Sequence, residues 1–318
     1  MRHFTSVKDV ENVPAMVREA LNFKKDPFPF SGLGKNKTMG IIFLNPSLRT
    51  RLSTQKAAQT LGMNVMVMNF DKEGWALETE DGTIMNGTSA EHIKEGAAVV
   101  GQYCDIIGIR SFAKLEYAED DYADVILNKF IQYSGVPVVS LESSVLHPLQ
   151  SLTDLVTIHE FKKKERPKVV LTWLPHFKPL PQAVANSFAE WMNHPDANVD
   201  FVITHPEGYE LAPEYRGNAK IIYDQNEALK GADFVYGKNW SSYEQYGKIL
   251  THDPSWRITK EKMNLTNNGK FMHCLPLRRN LKVTDEVLDS PSSIHITQAG
   301  NRLIAAQAVL KKILEDNF

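Results

Sequence analysis

A short segment near the start of the chain places hydroxyl and guanidinium side chains at the end of a strand. The segment 47–51, Ser-Leu-Arg-Thr-Arg, follows the apolar run 41–44, and Asn45-Pro46 makes the turn between them. Where a parallel strand ends and a helix begins, free backbone N–H groups and the positive end of the helix dipole favour an anion. Arginine can also bind two phosphate oxygens at once. The segment predicts a phosphate site, with an N-capping Ser or Thr and solvated arginines as the alternative.

Other phosphate-binding motifs do not fit this sequence. Ser31-Gly-Leu-Gly-Lys35 is rich in glycine, but it precedes its strand and lacks the spacing of a nucleotide-binding P-loop. No G-x-G-x-x-G motif follows any predicted strand. Dinucleotide binding is therefore not expected.

Further polar side chains follow two other strands. Arg110 ends the apolar run 105–109, and His147 and Gln150 come shortly after the run that ends near residue 141. Taken singly, His147 could start a helix and Gln150 could face solvent. Together with Ser47 they bring a cation, an imidazole and an amide to one sheet edge. Such a set suits a small ligand with phosphate, carbonyl and NH2 groups.

A fourth motif lies in the second half of the chain. His273-Cys274-Leu275-Pro276 ends the last strong apolar run. A buried cysteine before a proline-terminated strand is the simpler interpretation. Because ligand sites occur preferentially between domains, the same segment could instead turn its backbone carbonyls toward a ligand cleft.

The elements that must position these residues alternate between β-rich runs and helical patterns. Such alternation is typical of parallel sheets with crossover helices. In the first half no predicted strand alternates between apolar and polar residues, which indicates sheets covered on both faces. The predicted strands are 39–44, 65–69, 105–109 and 136–141, and the predicted helices are 50–61, closed by Gly62, one that starts near the Thr88-Ser-Ala-Glu91 capping box, and 121–133.

The second half repeats the pattern after a break at Arg166-Pro167. A helix at 149–163 connects the halves, and a final helix covers 299–314. The polar, aperiodic stretch 71–87 is a predicted functional loop. The chain is thus predicted to be α/β, with two doubly wound parallel-sheet domains joined by interdomain helices. The predicted strands of this half are 168–173, 201–204, 220–223, 234–236 and 271–274.

Composition narrows the class of protein. The 318 residues are 42% hydrophobic and 23% charged with a formal net charge of −2, as in ordinary globular proteins without a nucleic-acid partner. No run approaches the ~18 apolar residues of a membrane span, so a cytoplasmic location is expected. Cys104 and Cys274 are expected to be free thiols, and no metal-ligand spacing is present.

Four motifs occur in one order along the chain: Ser47-x-Arg49-Thr50-Arg51, Arg110, His147-Pro-x-Gln150 and His273-Cys274-Leu275-Pro276. Together they resemble the aspartate and ornithine carbamoyltransferases, from about residue 37 to the C-terminus. The resemblance implies a carbamoyl phosphate domain at 1–150, an amino-acid domain at 151–298, and a last helix, about 299–318, that packs back on the first domain. It also implies small-molecule substrates, no cofactor, and a homotrimer with shared active sites.

The same resemblance assigns roles to individual residues. It implies that Trp75 reaches the site of a neighbouring subunit, although a local loop anchor is the alternative. It places Arg110, His147, Thr50 and Cys274 in catalysis, with Cys274 positioning the substrate rather than acting as a nucleophile. The implied carbamoyl phosphate ligands are Ser47, Leu48, Arg49, Thr50, Trp75, Arg110, His147, Gln150, Leu275 and Arg302.

One departure from the family pattern concerns the second substrate. Ornithine enzymes have an Asp and a Ser-Met-Gly that hold the α-amino group, but here the segment 234–238 reads Phe-Val-Tyr-Gly-Lys. Lys238 would repel a free α-ammonium, whereas an acylated nitrogen is neutral and leaves Lys238 to pair with the α-carboxylate. The sequence thus resembles the N-acylornithine branch, whose implied acceptor-binding positions are Glu142, His176, Lys238, Cys274, Leu275, Arg278 and Ala90.

A succinyl group carries a distal carboxylate that an acetyl group lacks, so charged residues near the acyl group should distinguish the two substrates. The position of Ala90 tends to be acidic in the acetyl enzymes and proline in the succinyl enzymes that this chain resembles. Alanine cannot repel a carboxylate, and Arg278 and Lys282 could attract one, which favours N-succinylornithine. N-acetylornithine, free ornithine and a non-catalytic anion-binding role are the alternatives.

Overall fold

The computed structural model describes residues 1–70 and 74–318. These residues form two compact units. The first unit comprises residues 1–114, 119–149 and 302–318, and the second comprises residues 115–118 and 150–301.

The first unit contains a four-stranded parallel sheet in the order β2-β1-β5-β6 and a two-stranded parallel pair, β3-β4. Its core is formed by apolar side chains of the strands and of α3 and α5. The elements are a 3-10 helix (Val7–Asp9), α1 (Val13–Lys25), β1 (Thr38–Phe43), α2 (Arg49–Thr60), β2 (Asn64–Asn69), β3 (Leu77–Glu78), β4 (Glu91–His92), α3 (Ile93–Tyr103), β5 (Ile106–Arg110), α4 (Ala118–Tyr122), α5 (Val125–Tyr133) and β6 (Val138–Glu142).

The second unit contains a five-stranded parallel sheet in the order β11-β10-β7-β8-β9. The chain passes between the units within α6 and α12. The elements are α6 (Pro148–Phe161), β7 (Lys168–Trp173), α7 (Ala183–Asn193), a 3-10 helix (Pro195–Ala197), β8 (Asp200–Thr204), α8 (Pro213–Arg216), β9 (Lys220–Ile221), α9 (Gln225–Leu229), β10 (Phe234–Lys238), a 3-10 helix (Pro254–Trp256), α10 (Lys260–Met263), β11 (Lys270–Met272), α11 (Asp285–Leu288) and α12 (His295–Asn317).

The α/β class with two parallel sheets is confirmed. The expectation that every strand of the first sheet is covered on both faces is wrong for β2. Strands β1, β5 and β6 are buried almost throughout, but β2 alternates between exposed and half-buried side chains over its first residues. The reason is its position at the edge of the sheet, where one side of the strand has no neighbour in the sheet.

Several predicted boundaries were also wrong. The capping box at Thr88 does not start a helix, because α3 begins at Ile93 and its N-cap is His92, whose ring accepts from the Lys94 N–H at 3.2 Å. The predicted helix 121–133 is two helices separated by Asp124, which has a left-handed φ of 47°.

Other elements are shorter or longer than predicted. Strand β9 ends at Ile221 and strand β11 at Met272, while α12 begins at His295. Gly62, predicted to close α2, has the positive φ of 87° that favours glycine at a helix end.

Candidate active site

The phosphate segment lies at the point where the first sheet changes direction. From β1 the chain moves outward to β2, and it then returns to place β5 on the other side of β1. Phe43, the last residue of β1, is in register with Arg110, the last residue of β5. In parallel α/β sheets, ligands bind beside the carboxyl ends of strands at such a switch point. The segment 47–51 and Arg110 therefore occupy the expected ligand-binding edge of this sheet.

The N-terminus of α2 has no capping side chain. Its N-cap residue is Leu48, which is 67% exposed and makes no side-chain cap hydrogen bond. The interpretation of Ser47 or Thr50 as an N-cap is therefore wrong. Thr50 is buried in the first turn, and its Oγ1 accepts a hydrogen bond from Arg302 Nη2 at 2.6 Å. The backbone N–H groups of this helix end remain suited to an anion.

Arg110 is buried and held by three acceptors of the same unit. Its Nε and Nη2 donate to Glu142 Oε2 at 3.2 and 3.0 Å. Its Nη1 donates to the backbone carbonyls of Asn45 and Pro46 at 3.0 and 2.6 Å. The guanidinium also lies 4.0 Å from the ring centroid of Phe112. These contacts fix the plane of the guanidinium at the sheet edge.

The charge of a second arginine, Arg49, acts on Arg110. Burial lowers the pKa of Arg110 from its ordinary value, Glu142 opposes this change, and the charge of Arg49 adds to it. The side chain of Arg49 forms no hydrogen bond or ion pair with any residue that the structure describes. The charges of two arginines are thus opposed here by one carboxylate, and a phosphate would neutralise the remaining positive charge.

Glu142 also connects Arg110 to the predicted imidazole. His147 is buried, and its Nε2 lies 3.7 Å from Glu142 Oε2. Glu142, which the resemblance assigns to the acceptor substrate, thus contacts two residues predicted to bind carbamoyl phosphate, and its own role stays a prediction. Thr50, Arg110, His147 and Arg302 accompany it in the first unit.

Trp75 and Ala90 lie in the loop region of the first unit. Of the predicted loop 71–87, residues 71–73 lie outside the described residues, and β3 occupies Leu77–Glu78. Trp75 is 57% exposed, and its indole N–H donates to Glu91 Oε2 at 2.9 Å. Ala90 is exposed, and its N–H donates to the Ala76 carbonyl at 3.2 Å. The role of Trp75 in a neighbouring subunit stays a prediction.

The second sheet has its own switch point. Strands β8 and β9 extend to one side of β7, and β10 and β11 lie on the other side. Trp173, the last residue of β7, is in register with Lys238, the last residue of β10. His176 comes shortly after the end of β7, so both predicted acceptor-binding residues lie at the carboxyl ends of neighbouring strands.

Positive charge is concentrated around these strand ends. Lys238 and Lys282 are buried, and Lys282 Nζ donates to Asn239 Oδ1. Burial, together with the charges of Lys238 and Arg278, lowers the pKa of Lys282 to about 7. Burial and the same three cations lower the pKa of the half-buried His176 below its ordinary value. Arg278 is exposed and lies 4.1 Å from the ring centroid of Phe177.

The His273–Leu275 segment is tied to Gln150 through buried polar groups. Gln150 and Gln298 each donate an amide hydrogen to Asp154 Oδ1 at 2.7 Å. Gln298 Oε1 accepts from the His273 N–H at 2.8 Å, and His273 Nδ1 accepts from the Leu275 N–H at 2.9 Å. Cys274 is a buried free thiol, as predicted, and the Leu275-Pro276 peptide bond is cis.

Sequence reasoning missed four residues that support the predicted ones. Asn45 accepts from Arg110 through its carbonyl and from the Phe112 N–H through Oδ1 at 2.7 Å. Asp154 could have been found, because it lies one helical turn after Gln150. Asn239 and Gln298 contact predicted residues only through the tertiary fold, so no local sequence signal indicates them.

Neither a metal site nor a membrane helix is found in the described part of the chain. Across residues 1–70 and 74–318, no group of three or more His, Cys, Asp or Glu side chains could hold a metal ion. No helix in these ranges is long and apolar enough to cross a membrane.

Two family models match the chain. Residues 2–160 match the carbamoyl-P binding domain of aspartate/ornithine carbamoyltransferases, and residues 182–313 match the Asp/Orn binding domain of the same family. The first match contains the segment 47–51, Arg110 and His147. The second contains Lys238 and the segment 273–276.

Curated relatives and solved structures agree with these matches. The chain is 57% identical to N-succinylornithine carbamoyltransferase of Bacteroides thetaiotaomicron, over 99% of each chain. It is 36% identical to N-acetylornithine carbamoyltransferase of Xanthomonas axonopodis pv. citri, over 98% of this chain and 96% of the relative.

A solved N-acetyl-L-ornithine transcarbamylase variant, in which alanine replaces a glutamate, is complexed with carbamyl phosphate and N-succinyl-L-norvaline. It superposes with a TM-score of 0.91 at 35% identity, covering 98% of this chain and 100% of that one. Since two family models together span most of the sequence and the relatives match at full length, the chain is a carbamoyltransferase that belongs to the aspartate/ornithine carbamoyltransferase family.

Proposed function

We propose that the chain transfers the carbamoyl group of carbamoyl phosphate to the δ-amine of N-succinyl-L-ornithine. The products are N-succinyl-L-citrulline and phosphate, and the reaction is a step of arginine biosynthesis. The observation that carries the choice of acceptor is the group of cations Lys238, Arg278 and Lys282 in the second unit.

Within the described ranges 1–70 and 74–318, no carboxylate lies within ion-pair distance of any of these three cations. Like charges in a partly buried region are unfavourable unless an anion offsets them. N-succinylornithine carries two carboxylates, N-acetylornithine carries one, and free ornithine adds an α-ammonium. The succinylated acceptor therefore complements this charge best.

The names of the relatives favour the same acceptor. N-succinylornithine carbamoyltransferases from two Bacteroides species are 57% and 56% identical to this chain, against 36% for an N-acetylornithine enzyme. Solved variants of the N-acetylornithine enzyme in which a glutamate is replaced by alanine, proline, serine or valine are complexed with N-succinyl-L-norvaline. The resemblance pairs an acidic position of that kind with Ala90, which cannot repel a succinyl carboxylate.

For carbamoyl phosphate, we assign the phosphate to Ser47, Arg49, Thr50 and Arg110. The uncapped N-terminus of α2 supports this assignment, as do the guanidinium groups of Arg49 and Arg110, whose charges act on each other. The remaining predicted ligands are assigned by resemblance, namely Leu48, Trp75, His147, Gln150, Leu275 and Arg302.

The reaction forms one bond and breaks another at the carbamoyl carbon. The lone pair of the neutral δ-amine attacks this carbon, the bond to the phosphate oxygen breaks, and phosphate leaves with the proton that the amine loses. His147, Thr50 and Arg110 stabilise the negative charge that develops on the carbonyl oxygen, a contribution of several kcal/mol in comparable sites, about 3–4 kcal/mol for one donor. Gln150 and the Leu275 backbone orient the carbamoyl NH2, and Cys274 positions the acceptor.

Two broader features stay predictions. The homotrimer with shared active sites and the cytoplasmic location both come from the sequence and its resemblance to the family. The assignment of the first unit to carbamoyl phosphate and of the second to the acceptor is likewise a proposal.

The test compares three acceptors under one set of conditions. Purified protein is incubated with carbamoyl phosphate and with ornithine, N-acetylornithine or N-succinylornithine, and phosphate and ureido product are both quantified. We expect stoichiometric phosphate and ureido product with N-succinylornithine. Product from free ornithine alone would refute the acylated acceptor, and no product from any amine would favour the anion-binding role.

A further inference from the structure

The carboxylate of Asp154 connects three parts of the second unit. Asp154 lies on α6 and is fully buried. Its Oδ1 accepts from the amides of Gln150, on the same helix, and of Gln298, near the start of α12, both at 2.7 Å. Gln298 in turn accepts from the backbone N–H of His273, which follows β11. One carboxylate thus links α6, α12 and the segment 273–275.

A carboxylate that only accepts hydrogen bonds determines how an amide is oriented. Each glutamine must turn its NH2 group toward Asp154 and its carbonyl oxygen away. For Gln298, the carbonyl oxygen then meets the His273 N–H at 2.8 Å. For Gln150, the same rule turns Oε1 away from Asp154, the orientation in which it can accept from the NH2 group of a carbamoyl ligand.

The link through Gln298 continues along the chain. The His273 ring accepts from the Leu275 N–H at 2.9 Å, so a displacement of His273 would also move Leu275. Tyr236 of β10 is fully buried beside Asp154 and Cys274, and burial together with these two groups raises its pKa well above the ordinary value. Asp154 is therefore connected, through Gln298, to His273 and Leu275, the two residues that flank Cys274 in the sequence.

A purely structural role would not require a carboxylate at this position. A buried charge costs free energy unless it is well hydrogen-bonded, and an apolar side chain of similar size is often equally stabilising. Asp154 accepts hydrogen bonds from the amide of Gln150 and from the amide of Gln298, which in turn binds the segment 273–275. Gln150 and Leu275 are both predicted to contact the carbamoyl group.

We propose that Asp154 is a positioning residue for carbamoyl transfer, which holds the Gln150 amide and, through Gln298, the segment 273–275 in their reactive orientation. This inference rests on the proposed function, in which Gln150 and Leu275 orient the carbamoyl NH2. It assigns to Asp154 no contact with the substrate.

A double-mutant cycle tests the proposal in the full-length protein. Asp154→Ala is expected to lower kcat by roughly 10- to 100-fold, as misplacement of a substrate-positioning group does. The KM for carbamoyl phosphate should change by less than about threefold, because the phosphate contacts remain. In a Gln150→Ala background, Asp154→Ala should lower kcat by a clearly smaller factor than in the wild-type background, since one of the two groups that it positions is already gone.

A second variant and a control keep the result interpretable. Asp154→Glu retains the charge but moves it by one methylene, and the same loss of kcat and the same non-additivity are expected if the alanine variant does not fold. Asp233 serves as the matched control, because it accepts from the Lys168 N–H at 2.7 Å and from Asn267 Nδ2 at 3.0 Å. Asp233→Ala should lower the melting temperature but leave kcat unchanged.

The outcomes separate this proposal from the proposed function. Multiplicative losses of kcat in the cycle, or wild-type kcat for folded Asp154 variants, would overturn the positioning role whatever the acceptor is. If the wild-type protein uses ornithine or N-acetylornithine instead, the proposed acceptor is wrong, and the cycle run with that amine still decides on Asp154. Inactivity with all three amines would overturn both.

Discussion

Single residues show how charge is balanced differently in the two units. In the first, the buried guanidinium of Arg110 has a carboxylate partner, Glu142, while the side chain of Arg49 has none within the described residues. In the second, the charges of Lys238 and Arg278 act on Lys282, and none of the three side chains has a carboxylate partner in the described part of the chain. The first arrangement leaves one positive charge in excess, which suits phosphate, and the second suits an acceptor with more than one carboxylate.

The first prediction concerns the shape of the Arg110 side chain. Arg110→Lys keeps the charge but cannot donate at once to Glu142, to the Asn45 and Pro46 carbonyls and to substrate. We expect kcat to fall by roughly 100- to 1,000-fold, as on loss of an oxyanion donor. Steady-state kinetics and a melting curve provide the measurement.

The control for this prediction is Arg2→Lys. Arg2 is exposed and donates to the Gly135 carbonyl at 2.8 Å, so its replacement should not change kcat. A folded Arg110→Lys protein with a kcat within about twofold of wild type would show that the guanidinium has no special role.

The second prediction concerns pH and Lys282. Because the pKa of Lys282 is lowered to about 7, the side chain is charged below this pH and largely neutral above it. A carboxylate binds the charged form better, so the KM for N-succinylornithine should rise as the pH increases above 7. The rise is at most about tenfold per pH unit, the slope for one proton.

The arginine variant provides the comparison. Lys282→Arg stays charged throughout and should give a KM that is flat between about pH 7 and pH 8.5. An equally steep rise in both proteins would assign the titration to a group other than Lys282.

At the scale of single residues, the sequence predicted which residues form the site better than it predicted their hydrogen-bond partners. The order of the motifs indicated Arg110, His147 and Lys238, because each stands at a strand end. It could not show that Glu142 would pair with Arg110, or that Gln298 would hold His273, since these contacts join residues far apart in the chain.

At the scale of secondary-structure elements, the two sheets have a similar strand topology. Each begins with a central strand, β1 or β7, extends to one side and then returns to the other. The carboxyl ends of β1 and β5 hold the phosphate segment and Arg110, and those of β7 and β10 hold His176 and Lys238. The sequence predicted these strands, but not which of them would be neighbours, because strand order depends on nonlocal pairing.

A third prediction tests the close packing of α3. A Cβ atom at Gly101 would lie 1.9 Å from the Ser134 carbonyl oxygen, so Gly101→Ala should lower the free energy of unfolding by about 1–3 kcal/mol. Gly300, on α12, has no atom within 4 Å of an added Cβ. Gly300→Ala should therefore be neutral or raise it by about 0.4–1 kcal/mol. Equal effects in chemical denaturation would contradict this packing.

Errors in the predicted elements have local physical causes. The Thr88 capping box has the right residue types, but Glu91 pairs in β4 and its carboxylate accepts from Trp75. Tertiary pairing thus overrides the local capping signal. Asp124 interrupts the predicted helix 121–133 in a left-handed conformation that asparagine and aspartate tolerate better than most residues.

At the scale of the whole molecule, two units connected through α6 and α12 match the two domain models of one family. The family was predictable from sequence because four motifs occur in one order. The prediction of the acyl group rested on fewer residues, because Ala90 matches neither the acidic residue of the acetyl enzymes nor the proline of the succinyl enzymes.

A fourth prediction concerns assembly. The homotrimer inferred from the resemblance should give a sedimentation-equilibrium mass three times that of the chain. Trp75→Ala should lower kcat without changing this mass, because the prediction places Trp75 in a neighbour's active site rather than in the contact that holds the subunits together. A monomer with full activity would contradict the shared-site prediction.

The central claim is that the acceptor is N-succinylornithine, and the ratio of kcat/KM for N-succinylornithine to that for N-acetylornithine tests it most directly. Because buried cations bind the additional carboxylate of the succinyl group, we expect a ratio of roughly 10 to 100. This factor corresponds to about 1.4–3 kcal/mol from a charged hydrogen bond. A ratio below one would contradict the account.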